Sequence, residues 1–129
     1  MRHVAKHLIW ALGLAVATVT VAAAQESMPE GVTKEMIDEG AKLFSGVGIC
    51  MACHGTDGTG MPNLGADLSD DEWAQGDGSF EGILKSIKEG VTSEESTSGT
   101  VMPPKGGSSL NDEQLKAVAA YVWSLSHKK

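Results

Sequence analysis

The sequence predicts an all-α fold, and three observations carry that prediction. Apolar residues recur at helical spacing in separate stretches around residues 36–44, 80–87 and 115–125. No two neighbouring runs alternate apolar and polar residues as a strand pair would. The stretches between the helical segments are rich in glycine and proline, which exclude a regular element there.

The elements follow in chain order. Residues 1–6 carry Arg2 and Lys6, an apolar run spans residues 8–21, and Ala22, Ala23 and Ala24 offer a small-residue site before Gln25. This three-part build predicts a signal peptide over residues 1–24 and a domain over 25–129, exported to the periplasm. The apolar run is shorter than the roughly 20 residues of a spanning helix, so a membrane is met only if the segment is retained. Residues 25–32 have no periodicity and form a lead-in. Thr33 is the expected cap of a first helix whose Met36, Gly40, Leu43 and Phe44 share one face. A mid-helix glycine costs about 1 kcal/mol against alanine, so Gly40 predicts the close approach of another backbone.

Gly46 and Gly48 lead into Cys50-Met51-Ala52-Cys53-His54, and a glycine-rich loop follows from Gly55 to Gly65. Ser69-Asp70-Asp71-Glu72 reads as a capping box opening a short helix at Trp73. Phe80, Ile83, Leu84 and Ile87 mark a further helix that Gly90 stops. Residues 92–100 are polar, lack an apolar anchor and read as a mobile loop, and Met102-Pro103-Pro104 follows as a stiff extended segment. Asn111 and Gln114 form a capping box for the last helix, stapled by Leu110 and Leu115 and striped by Val118, Ala119, Val122 and Leu125.

Without residues 1–24 the chain holds eight lysines, no arginine and all seventeen acids, a formal charge of −9. Nucleic-acid binding needs a basic footprint, so that class is excluded. An acidic surface suits a protein partner with a basic docking patch, steered electrostatically, or serves solubility alone.

The chemistry concentrates at residues 50–54. Two cysteines three positions apart, followed at once by histidine, are the signature of covalent c-type haem attachment. On one helical turn the thiols of Cys50 and Cys53 reach the two vinyl groups of a single haem c, and His54 rises beneath the iron. A dithiol redox pair would need a strand–helix–strand context that is absent. Zinc would draw on Cys50, Cys53, His54 and His127, but neighbouring Cys53 and His54 do not make the usual well-separated ligand pairs. A disulfide over two residues would restrain little chain.

In the loop after His54, Pro62 is the candidate backbone carbonyl to accept the other ring N–H of the imidazole. Of the methionines, Met102 lies 48 residues beyond His54 with prolines beside it, and is the expected sixth ligand. Met61, seven residues from His54, is the alternative. Thioether opposite imidazole raises the reduction potential, and two filled axial positions suit one-electron transfer rather than enzymatic oxygen or peroxide chemistry.

From Thr33 to His127 the chain resembles class I cytochrome c. The matching pieces are Gly40 and Phe44, the attachment motif with Gly55, Met61-Pro62-Asn63-Leu64, Met102-Pro103, and residues 119–125. The resemblance implies three to five helices around one covalent haem, with the first and last helices crossing and Phe44 meeting Tyr121. It supports Pro62 as the orienting carbonyl and places Leu64 with the cofactor-binding residues. Residues 63–76 and the last helix are most similar to the small haem domains of bacterial respiratory oxidases. That likeness puts Trp73 near a haem propionate and implies an oxidase, reductase or dehydrogenase as redox partner.

Overall fold

The computed structural model describes residues 27–73 and 75–127; the expected signal peptide over 1–24 lies outside them. Four α-helices run in the order α1 (Lys34–Ser45), α2 (Met51–His54), α3 (Phe80–Glu89) and α4 (Asp112–Ser126), with a 3₁₀ turn at Pro104–Gly107. Among the described residues there is no strand, only two isolated bridges, Met61 with Gly65 and Val91 with Met102. The fold is the expected all-α one.

Helix α4 is the centre of the molecule. Its N-terminus is closed by the expected box: the Asn111 side chain accepts from the Gln114 amide, and the Gln114 side chain accepts from the Asn111 amide. Leu110 and Leu115 are both buried at the staple position. Burial extends beyond the expected stripe to Ala117, Ala120, Trp123, Ser124 and Ser126, because α1 and α3 both pack on this helix. Small side chains on α4 permit that close packing.

Helix α1 is capped by Thr33, whose hydroxyl accepts from the Met36 amide at 3.2 Å. Gly40, Leu43 and Phe44 are its buried residues. A Cβ placed on Gly40 would fall on the Ala117 carbonyl and the Tyr121 Cβ. The glycine therefore sets the closest approach of α1 and α4, which accounts for its place in mid-helix. One turn on, Phe44 meets Tyr121 edge-on, with ring centroids 5.2 Å apart.

Two local expectations are corrected. Residues 68–71 form bends, and no helix opens at Trp73. The Asp67 carboxylate takes the Ser69 amide and hydroxyl, and Asp70 takes the Glu72 amide. These side-chain turns use the groups that the capping box required, with the Ser69 hydroxyl donating instead of accepting. The proline segment is extended only as far as Pro103, after which the 3₁₀ turn carries Lys105 and Gly106 into positive φ.

Candidate haem site

The sequence Gly46–Val47–Gly48–Ile49 ends α1 and turns the chain into the attachment motif. Gly48 donates to the Leu43 carbonyl at 2.8 Å, and Ile49 takes a φ of 52°. That value is unusual for a β-branched residue and marks a constrained turn. Helix α2 then places Cys50, Cys53 and His54 on a single turn, where all three border one cavity. Cys50 is half-buried, its Sγ 3.4 Å from the Gly48 carbonyl, and burial pushes its thiol pKa up. Cys53 is exposed, and the two cysteines form no disulfide.

His54 is oriented by a backbone carbonyl, but not the expected one. Its Nδ1 lies 2.9 Å from the oxygen of Ala66. A carbonyl only accepts, so this contact puts the proton on Nδ1 and leaves the Nε2 lone pair open for a metal. Pro62 instead sits exposed at the tip of a tight turn, in which Met61 and Gly65 exchange backbone hydrogen bonds and Asn63 has a φ of 60°. The turn projects Pro62 outward and brings Ala66 back beside the imidazole. Gly65 permits the return, since a Cβ there would strike the Cys53 backbone.

The cavity is open to solvent on one side; counted with that solvent, the space between its walls is about 1180 Å³. Besides the motif, Leu64, Ile83, Ile87, Val118 and Val122 give it an apolar lining. Trp73 also borders it, held by a loop in which a Cβ on Gly78 would fall on the indole. Met102 borders the same space, whereas Met61 and Pro62 line a separate, shallower cleft. His127 is engaged elsewhere: it stacks on Trp123 at 4.4 Å, and its Nδ1 lies 2.8 Å from the Trp123 carbonyl. Of the expected site residues, Cys50, Cys53, His54, Leu64, Trp73 and Met102 come together, and Pro62 does not.

Sequence reasoning missed Ala66, because an alanine offers only its backbone and nothing local marks which carbonyl will face an imidazole. It also missed the hydroxyl side of the cavity. Ser96, Thr97, Ser98 and Thr100 line it, and the Thr100 hydroxyl donates to the Asn63 carbonyl at 3.0 Å. The stretch expected to be a loose loop is thus tied to the turn after His54. Among the described residues no cluster of three or more His, Cys, Asp or Glu side chains is arranged to hold a metal ion.

The arrangement suits a large, flat, mostly apolar group carrying a metal: thiols at one edge, an oriented imidazole on one wall, a thioether bordering the same space. Comparison with known proteins agrees. The family model for cytochrome c oxidase, cbb3-type, subunit III matches residues 35–122. The chain belongs to this family. It is a c-type cytochrome domain of class I, a family whose cofactor is covalently bound haem c. A cbb3-type cytochrome c oxidase subunit CcoP from Rubrivivax gelatinosus is 40% identical over 79 residues, covering 60% of this chain and 23% of its own length. A subunit FixP from Sinorhizobium medicae is 40% identical over 95 residues, covering 70% of this chain and 30% of its own. The FixP of Rhizobium etli is 36% identical over 80 residues, at 60% and 27%. The chain therefore spans between 23% and 30% of the length of these relatives. No solved structure gave a significant match.

Proposed function

We propose that this domain is a mono-haem electron carrier, with one haem c joined through Cys50 and Cys53 and the iron held by His54 and Met102. The observation that carries this reading is that all four side chains border one apolar cavity. When bound, haem c would supply a one-electron redox couple, with His54 and Met102 as the residues that would hold its iron. The rest is done by the chain. Cys50 and Cys53 hold one edge by thioether bonds. The Ala66 carbonyl keeps the His54 proton on Nδ1 and so fixes the ring and strengthens Nε2 as a donor. Met102 presents a soft thioether that favours the reduced state, and the apolar walls, with Leu64 and Trp73 among them, exclude water.

Its relatives are named as subunits of a respiratory oxidase, which supports a respiratory oxidase, reductase or dehydrogenase as partner. The partner's docking patch is basic. Between Lys42 and Lys85 the chain has no lysine or arginine and seven acids, of which Asp67 and Glu72 stand on the cavity wall. Export of the domain to the periplasm follows from the leader at residues 1–24. Among the described residues no helix is long and apolar enough to cross a membrane.

The test is the visible spectrum of the reduced protein, matured in an exporting host, before and after carbon monoxide. A low-spin c-type spectrum unchanged by the gas is expected. Met102→Ala should lower the reduction potential and let the ferrous iron take up carbon monoxide. An unaltered spectrum and potential in that variant would overturn the assignment of Met102.

A further inference from the structure

We propose that Gly90 and Val91 are positioning residues for Met102, a clamp that holds the methionine independently of the polar segment hung between them. The inference rests on Met102 as the sixth ligand. Val91 and Met102 form an isolated antiparallel bridge in which each amide donates to the other's carbonyl, at 2.8 and 2.9 Å. Both backbone polar groups of Met102 are thus engaged by one residue, the closed pairing of an antiparallel ladder. Met102 also precedes Pro103, which restricts it to the extended backbone that the bridge needs. Its main chain is constrained from two sides.

Gly90 anchors the other half. It ends α3 with a φ of 79°, donating to the Ser86 carbonyl, and so turns Val91 out of the helix toward Met102. A Cβ on Gly90 would lie 2.5 Å from the Met102 oxygen, 2.9 Å from the Pro104 nitrogen and 3.0 Å from the Pro103 carbonyl carbon. These are backbone atoms of the ligand's own segment, and none can swing aside as a side chain would. Helix α3 packs on buried α4 through Ile83 and Ile87, so the clamp is referred to the core.

Residues 92–100 leave and return through this bridge. Most of their hydrogen bonds are local turns, such as Ser96 to Thr92 and Gly99 to Ser96, with ties from Thr100 to Asn63 and from Glu95 to Gln75. A loop closed at its base by a hydrogen-bonded pair transmits little of its motion past that pair. A change of length at the outer part of the segment, away from the cavity-lining residues 96–98 and 100, should therefore leave the thioether in place.

Three variants of the haem-loaded protein test this, each read by carbon monoxide binding to the ferrous form and by reduction potential. Gly90→Ala places a Cβ against Met102 and should raise the apparent carbon monoxide affinity about tenfold or more, as backbone strain of this class corresponds to. Its potential should fall toward that of Met102→Ala. Gly99→Ala is the matched control, since Gly99 has a φ of 70° but nothing near its Cβ, and it should leave both readouts unchanged. Two glycines inserted between Glu94 and Glu95 should also leave them unchanged. In the unmodified protein the amides of Val91 and Met102 should exchange hydrogen together, and more slowly than those of residues 93–98.

A folded Gly90→Ala protein that excludes carbon monoxide as the parent does would overturn the clamp. So would an insertion variant as open as Met102→Ala, or Val91 and Met102 amides exchanging as fast as the loop. Should Gly90→Ala fail to mature, the insertion and the exchange measurement decide. If instead Met102→Ala itself excludes carbon monoxide, it is the ligand assignment that fails, and the two failures remain separate.

Discussion

Two short contacts set the chemistry at the residue scale. One is the carbonyl of Ala66 on His54, which selects the tautomer without any side-chain acid. The other is Asp67, the next residue, whose carboxylate accepts from the Ser69 hydroxyl and amide at 2.6 and 2.7 Å. Those bonds hold its pKa below the ordinary carboxylate value, the hydroxyl contributing most. A carboxylate depressed in the folded state contributes stability above its unfolded pKa, and the contribution is lost as pH falls through the folded value. Asp67→Ala should therefore melt below the parent at neutral pH, with the difference shrinking below about pH 4. Melting temperatures taken from pH 7 down to 3 check this; a difference that is constant with pH would show that the carboxylate's charge is not involved. Asp67 is only half-buried and reached by solvent, so the effect is small.

At the scale of elements, the joint between α1 and α4 organises the domain. The cavity is built on one side of α4, through Val118 and Val122, and α1 covers another through Gly40 and Phe44. Gly40→Ala would drive a methyl group into the Ala117 carbonyl, and the helices must separate to admit it. Overpacking of this kind costs about 1–3 kcal/mol, in excess of the roughly 1 kcal/mol that alanine returns in helix propensity. Denaturant unfolding should show that net loss. A variant as stable as the parent would mean that the joint yields freely and that Gly40 does not set the spacing.

At the scale of the whole molecule, charge is divided unevenly. Lysines 34, 42, 85, 88 and 116 each lie beside an acid on a helix surface, in pairs that are largely exposed and contribute little individually. Lys105 is turned inward to the Leu110 carbonyl. Among the described residues no lysine pairs with the acids at 67–72, two of which, Asp67 and Glu72, line the cavity. Electron transfer to a partner with a basic patch should slow as salt rises. Converting Asp70, Asp71 and Glu72 together to their amides should slow it at low salt and flatten that dependence. The same change at Glu35, Asp38 and Glu39 on α1 removes equal charge and should have a smaller effect. Equal effects from the two triples would mean that net charge alone steers the encounter.

What the sequence by itself determined was whatever depends on neighbours in the chain. The attachment motif needs two thiols and an imidazole on one helical turn, and spacing settles that. Helix caps act within three residues, so Thr33 and the Asn111–Gln114 box were legible, as was the stop at Gly90. Gly40 announced a close contact because a glycine there has a cost that only packing offsets. The tertiary structure decided what depends on approach from elsewhere. Ala66 rather than Pro62 faces His54 because a tight turn at 61–65 throws one outward and brings the other back. The box at 69–72 lost to side-chain turns of similar energy, a choice made by Asp67, which lies outside the four-residue pattern. Met102 and Met61 differ little as residues, and only the fold puts one on the cavity and the other on a separate cleft. Which methionine borders the cavity, 48 residues beyond His54 in the case of Met102, is decided by packing, because no local rule spans that distance.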